Sequence, residues 1–299
     1  MNGNPATRHL IVVGPTASGK TDLALRVAKA TGAEIVSVDA FQIYRGMDVG
    51  TGKPTPEERG DILHHGLDVA DPCTSFTVAD YLKHAAGWIQ RHPPVMIWVG
   101  GTGLYVSALL RGLSPAPPVP QEVRDELEGW PLHLLQDAIQ KADPEWAATA
   151  DLNNPRRIVR ALGVARATGR PMSVWQRSRQ PGLLADAPVF LYGRETAELR
   201  ERIKKRIGNM IERGWADEVE RLAGVAGWEE SPSSRAIGYR EVLAWKRGRM
   251  NLASCIDSIE KQTWQYARRQ LTWFRHQCPA TPLGPEPESE QQLLDWIHS

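Results

Sequence analysis

The sequence predicts an α/β fold: a parallel-sheet core carrying a helical insertion and a helical C-terminal region. Three observations predict it. The apolar run Leu10-Ile11-Val12-Val13 leads through a glycine-rich turn into residues at helical spacing. Short apolar runs then alternate with helical patterns as far as residue 113, as in sheets covered on both faces. Next comes the proline-rich stretch Ser114-Pro115-Ala116-Pro117-Pro118-Val119-Pro120, after which strand character returns at Val189-Phe190-Leu191-Tyr192.

The turn after the first strand, Gly14-Pro15-Thr16-Ala17-Ser18-Gly19-Lys20-Thr21, fits G-x-x-x-x-G-K-[ST]. The helix behind it carries Leu23, Ala24, Val27 and Ala28 on one face, and Gly32 ends it. In such a loop the backbone N–H groups converge on one anion, and the helix N-terminus adds partial positive charge. Lys20 adds a full charge, and the Thr21 hydroxyl is placed to ligate Mg²⁺. The core is therefore P-loop NTPase-like and binds a di- or triphosphate; the loop alone does not distinguish them.

Glu34-Ile35-Val36-Ser37-Val38-Asp39 reads as a second strand ending on a carboxylate. Thr77 and Asp80 form a capping box before a helix with Val78, Tyr81, Leu82, Ala85, Trp88 and Ile89 on one face. Val95-Met96-Ile97-Trp98-Val99 is a third strand, running into Gly100-Gly101-Thr102-Gly103. Ligands of parallel sheets sit at the carboxyl ends of the strands, where the phosphate loop, Asp39 and residues 100–103 all lie.

Residues 114–187 read as the helical insertion, leaving 1–113 and 188–299 as the core with its C-terminal helices. Within the insertion, Asn154 and Pro155 are an N-cap and first helical residue. Ile158, Ala161, Leu162 and Ala165 follow on one side, with Arg156, Arg157, Arg160 and Arg166 around the rest. Gln180-Pro181-Gly182 is a loose closing stretch. In the C-terminal region Leu199, Ile203, Ile207 and Ile211 share a face. Ile256, Ile259, Thr263, Ala267, Leu271 and Phe274 line a longer helix bearing Arg268, Arg269 and Arg275. Residues 282–290 read as a surface linker before a short last helix.

Composition bounds the function classes. With 299 residues and ordinary apolar and charged fractions, the chain has ample core for one large domain or two smaller ones. No stretch approaches a membrane span, and the N-terminus lacks a signal pattern. Cys73, Cys255 and Cys278 are too few and too scattered for a disulfide framework or a zinc site, which points to a reducing cytosol. The net charge of +1 is neutral toward nucleic acid, although basic residues gather in the second half. The 11 Trp residues read mainly as packing, with base stacking the lesser reading.

Several chemistry-bearing groups keep two readings at this level. Asp39 suits a Mg²⁺ ligand, a general base or a turn cap. Residues 100–103 admit a close ligand or a plain strand-to-helix turn. The strand before them lacks a terminal acid, against an ordinary ATP-hydrolysing motor. The arginines of 156–166 suit RNA phosphates or a solvated face, as does Lys204-Lys205-Arg206. His64-His65 reads as part of a polar loop rather than a metal site.

Taken in order, these segments resemble the tRNA dimethylallyltransferase (tRNA isopentenyltransferase) family. The resemblance rests on residues 14–21; on Asp39-Ala40-Phe41-Gln42-Ile43-Tyr44-Arg45-Gly46-Met47-Asp48-Val49-Gly50-Thr51; on His64-His65; and on Gly100-Gly101-Thr102-Gly103-Leu104-Tyr105. It continues through Arg156-Arg157-Ile158-Val159-Arg160-Ala161-Leu162, Ser234-Arg235-Ala236-Ile237-Gly238-Tyr239-Arg240 and residues 265–275. No zinc-finger extension of the eukaryotic kind follows, so the resemblance is to the bacterial type.

The resemblance implies a P-loop core with a helical insertion that moves the dimethylallyl group of dimethylallyl diphosphate to N6 of the adenosine 3′-adjacent to the tRNA anticodon. Residues 14–21 and Mg²⁺, held by Thr21, would carry the donor's diphosphate, with Lys20 and the family arginine Arg206 stabilising it. Asp39 matches the catalytic aspartate that takes the N6 proton. The adenine would be flipped from its stack into a channel between core and insertion. Asp39, Ala40, Phe41, Gln42, Thr102, Arg124, Arg156, Arg157, Ile158, Val159 and Arg160 match tRNA-contacting positions of the anticodon stem-loop site. Ala40 stands where the family usually has Ser, and Phe41 where it often has Met, which removes one hydroxyl from the base site. A cytoplasmic monomer is the expected setting. Two rivals use the same loop: a small-molecule kinase, and a non-catalytic RNA-binding protein.

Overall fold

A computed structural model describes residues 7–299. The chain divides into two compact units, residues 111–185 and the remainder.

In the larger unit, β1 (Arg8–Val13) enters the phosphate loop, and α1 (Lys20–Thr31) leaves it. There follow β2 (Glu34–Val38), the short helix α2 (Pro56–Arg59), β3 (His64–His65), α3 (Val78–Ile89), β4 (Val95–Gly100) and α4 (Gly103–Arg111). Helix α1 buries Leu23, Ala24, Val27 and Ala28 and ends at Gly32 in the left-handed conformation. The expected capping box of Thr77 and Asp80 starts α3.

The smaller unit holds α5 (Gln121–Glu128), α6 (Leu132–Ala142), α7 (Pro144–Ala147), α8 (Pro155–Thr168) and α9 (Met172–Arg177). Asn154 caps α8 through the Arg157 amide, with Pro155 in the first turn. Its core gathers Leu127, Leu135, Ile139, Trp146, Ile158 and Leu162. The Asp143 carboxylate, buried here, accepts the Trp146 and Ser173 amides at 3.1 and 2.8 Å.

The larger unit resumes with β5 (Val189–Leu191), α10 (Thr196–Glu212), α11 (Trp215–Ala223), α12 (Tyr239–Lys246), α13 (Leu252–Gln277), β6 (Thr281–Pro282) and α14 (Glu288–His298). The six strands form one parallel sheet in the order β3-β2-β4-β1-β5-β6. This order makes β4 the neighbour of both β1 and β2. Val13 and Val38 both pair with Gly100, so the phosphate loop, Asp39 and the turn after β4 leave the sheet side by side.

Two sequence-based expectations are corrected. His64 and His65 form a short parallel strand on β2 rather than a polar loop. His65 Nε2 lies 2.6 Å from the Glu34 carboxylate and its ring stacks on Trp88, a long-range arrangement that residue type alone conceals. Residues 282–290 are not a plain linker. Thr281 and Pro282 add the sixth strand, and Glu286 binds Arg26, Tyr192 and Arg194 before α14 packs on α1. On α13 the buried line also shifts: Cys255 and Gln270 are buried, while Ile256 and Leu271 are half-buried.

Candidate active site

The phosphate loop closes because Ala17 and Gly19 adopt positive φ, 65° and 92°. Its amides divide by direction. Thr16 N–H donates to Gln270 Oε1 at 2.8 Å and Ser18 N–H to the Pro15 carbonyl at 3.3 Å. Pro15 has no N–H, and Gly14 lies against the Tyr192 carbonyl. Ala17, Gly19, Lys20 and Thr21, whose amides have no hydrogen-bond partner among the described residues, are among those lining a cavity of about 340 Å³. Gly14, Pro15, Thr16 and Ser18 thus shape the loop.

Helix α10 supplies the facing wall. Arg202, Lys205, Arg206 and Asn209 recur at helical spacing and line the same cavity. Arg202 Nε donates to the Ala17 carbonyl at 2.8 Å, and Arg194 Nε to the Ser18 carbonyl at 3.1 Å, which turns the loop's oxygens away from the anion. Burial, with the Arg206 charge second, brings Lys20 down to about 8. Burial also lowers Arg206. Two half-buried cations held close together call for an anion. Arg202 and Asn209 were missed from the sequence, and Lys205 reads there only as a phosphate-binding or solvated cation; their shared helical face with Arg206 was the available signal. Lys204 is exposed and lies off this wall.

Asp39 follows the last residue of β2. Its Oδ1 accepts the Phe41 and Gln42 amides at 2.9 and 3.3 Å, so the turn-cap reading is true of one oxygen. Its Oδ2 accepts no hydrogen bond among the described residues. Thr102 Oγ1 accepts the Ala40 amide at 3.2 Å, tying the two strand ends together. Ala40 thus engages Thr102 through its backbone. The Gln42 side chain is a strut: Ser37 Oγ donates to its oxygen at 2.7 Å, and its nitrogen donates to the Thr51 and Gly52 carbonyls.

A second cavity, about 270 Å³, opens beside Asp39. Asp39, Arg206, Tyr266 and Arg269, with Thr16, Thr51 and Thr263, give it a polar side; Phe41, Ile207, Met210, Trp215, Ile237 and Ile259 give it an apolar one. Arg206 lines both cavities, and its guanidinium donates to the Thr51 carbonyl at 3.3 Å. Burial, then the Asp39 charge, pushes the Tyr266 hydroxyl up to about 12, so it stays a neutral donor. The loop under this cavity is held by Glu218, 3% exposed. Its carboxylate accepts the Asp48, Val49 and Gly50 amides at 2.7, 2.7 and 3.0 Å and the Tyr239 hydroxyl at 2.7 Å.

In the smaller unit, Arg156 and Arg157 are exposed, and their guanidinium groups make no hydrogen bond or ion pair among the described residues. Ile158 and Val159, 0% and 5% exposed, pack inside its core, so their side chains do not face a partner. Arg160 is half-buried and donates to the Pro117 and Ala116 carbonyls at 2.8 and 3.0 Å, fixing the proline-rich stretch. Arg166 pairs with Glu126 and lies over Trp130. Arg124 is exposed and close enough to Arg160 to lower it further, after burial. Of the cations matched to tRNA-contacting positions in this unit, Arg124, Arg156 and Arg157 are the exposed ones.

Comparison with known proteins follows the same line. The IPP transferase family profile matches residues 42–277, and the isopentenyl transferase profile matches residues 7–62. A tRNA dimethylallyltransferase of Deinococcus radiodurans is 42% identical over 295 residues, 92% of each chain. The crystal structure of a full-length tRNA isopentenylpyrophosphate transferase from Bacillus halodurans superposes with a TM-score of 0.70 at 32% identity, covering 97% of this chain and 95% of that one. A eukaryotic dimethylallyltransferase acting on tRNA shares the fold, with a TM-score of 0.82 at 23% identity over 97% of this chain and 80% of that one.

Proposed function

The chain belongs to the IPP transferase family, and from that membership we propose how its own residues carry out the family's reaction. It is a transferase that prenylates tRNA, moving a dimethylallyl group to N6 of the adenosine beside the anticodon and forming N6-isopentenyladenosine. The donor is dimethylallyl diphosphate. The observation that carries this reading is the shared Arg206 wall: a cationic cavity suited to a diphosphate adjoins one with an apolar side and a carboxylate oxygen that accepts no hydrogen bond among the described residues.

The chemistry follows from where charge develops. As the allylic C–O bond breaks, negative charge grows on the departing diphosphate. The Ala17, Gly19, Lys20 and Thr21 amides, with Lys20 and Arg206, stabilise it in a site whose donors are already oriented. The Thr21 hydroxyl lines this cavity without a hydrogen-bond partner among the described residues, and Asp22 stands beside it. That oxygen set fits Mg²⁺, which would neutralise charge on the diphosphate oxygens. The apolar walls around Phe41, Met210 and Trp215 keep water from the electron-poor allyl carbon. The N6 amine attacks that carbon, and Asp39 Oδ2 takes its proton while Oδ1 keeps the turn in place.

The adenine reaches this cavity only when flipped out of its stack. Arg124, Arg156 and Arg157 supply phosphate contacts to the anticodon stem-loop, and Phe41 supplies an aromatic edge for the base. In this reading the chain acts as a monomer in the cytoplasm, where its tRNA substrate is found. Among the described residues no helix is long and apolar enough to cross a membrane. Labelled dimethylallyl diphosphate incubated with unmodified tRNA tests the reading. Label in the RNA is expected. ATP consumed with label left out of the RNA would favour a kinase.

A further inference from the structure

The geometry points to Gln270 as a positioning residue that sets the spacing between the leaving-group cavity and the turn bearing Asp39. The inference rests on the proposed function and adds to it a residue outside the assigned site. Gln270 lies on α13 and is 6% exposed. Its Oε1 accepts the Thr16 amide at 2.8 Å, and its Nε2 donates to the Gly101 carbonyl at 2.8 Å. One amide thus holds the phosphate loop and the turn after β4 at once.

The tie falls where the sheet can no longer supply one. The last register pair of β1 and β4 is Val13 with Gly100; beyond it both chains leave the ladder. A Cβ at Gly101 would stand 2.2 Å from Gln270 Nε2, so any larger residue there would displace this amide. One helical turn earlier, the Tyr266 hydroxyl lies beside Thr102 and Gln270. Thr102 in turn accepts the Ala40 amide, next to Asp39. The link therefore runs from Thr16 through Gln270 to Gly101, and from the next residue, Thr102, to the Asp39 turn.

The chemistry of the side chain is specific. The site needs one acceptor and one donor on a short neutral fork, which the primary amide supplies. Leucine supplies neither. Glutamate supplies the acceptor, and the donor only when protonated. A residue serving packing alone would tolerate leucine. Misplacement of reacting groups by about 1 Å lowers rate about a hundredfold, so slack in this tie reads out in kcat.

The test compares wild type, Gln270→Leu and Gln270→Glu. The measurements are inorganic pyrophosphate affinity, tRNA affinity and steady-state transfer from dimethylallyl diphosphate, with circular dichroism to verify folding. Gln270→Leu is expected to weaken pyrophosphate binding about tenfold and lower kcat about a hundredfold, leaving tRNA affinity within about twofold. Gln270→Glu is expected to recover toward wild type as pH falls, because only the protonated carboxyl donates to Gly101. If the leucine variant does not fold, the pH response of Gln270→Glu decides. The assignment is overturned if the folded variants keep wild-type pyrophosphate affinity and kcat. It is also overturned if tRNA affinity falls in step with kcat, or if Gln270→Glu shows the wild-type pH profile. Weakened pyrophosphate binding in Gln270→Leu, alongside a wild type that forms no isopentenyladenosine, would uphold Gln270 and reject the proposed reaction.

Discussion

Asp39 Oδ1 accepts the Phe41 amide at 2.9 Å, so one carboxylate carries a structural task and a chemical one on different oxygens. Two substitutions separate the tasks. Asp39→Asn keeps an acceptor for the turn and removes the base; transfer is expected to fall at least about a hundredfold with tRNA affinity retained. Asp39→Ala loses the cap as well and is expected to show the same loss of transfer plus a lower thermal midpoint. Equal stability of the two variants, measured by thermal denaturation, would reject the division.

Lys20 gives a pH prediction. Its value of about 8 lies below the ordinary lysine range because burial, then Arg206, disfavours its charge. A bound diphosphate favours the charged form, so binding takes up protons near pH 8 and weakens as pH rises above it. Calorimetry of pyrophosphate binding in buffers of different ionisation enthalpy measures this uptake; Lys20→Met is expected to abolish it. The empty fold carries the opposite sign. It releases this proton before the unfolded chain does, so the Lys20 penalty present below pH 8 is relieved as pH rises toward the ordinary lysine value.

Arg206 is the cation shared by both cavities. Arg206→Leu is expected to lower kcat by about 10²–10³, the range for losing one oriented donor to a leaving group. Arg206→Lys is expected to recover part of the loss, since it restores charge without the planar donor set. Steady-state kinetics with varied donor checks both. Loss confined to the KM for tRNA would contradict the placement.

Glu218 predicts stability. Removing a carboxylate that holds three amides and the Tyr239 hydroxyl leaves those donors buried and unpaired. Glu218→Ala is expected to destabilise the fold by about 3–5 kcal/mol in urea titration. Glu218→Gln, which keeps an acceptor, is expected to lose less.

Much of the site was legible in the sequence because it rests on local pattern. The phosphate loop, Asp39 at a strand end and the Thr77 and Asn154 caps depend on neighbours a few residues away, and each forms as expected. What escaped depends on distant partners. Glu218 reads as one of many helix-face acids until residues 48–50 arrive beneath it. Gln270 sits among charged residues of a long helix, and only the fold brings Thr16 and Gly101 to it. Ile158 and Val159 lie in an arginine-rich segment, yet the helix turns them inward. His65 and Glu286 likewise take their places from contacts far along the chain.

The most direct measurement is mass analysis of nucleosides from unmodified tRNA digested after incubation with the protein, Mg²⁺ and dimethylallyl diphosphate. N6-isopentenyladenosine should appear with wild-type protein and fall to trace levels with Asp39→Asn. Adenosine left unmodified by a folded, pyrophosphate-binding wild type, or an undiminished product with Asp39→Asn, would contradict the assignment of that carboxylate and the reaction built around it.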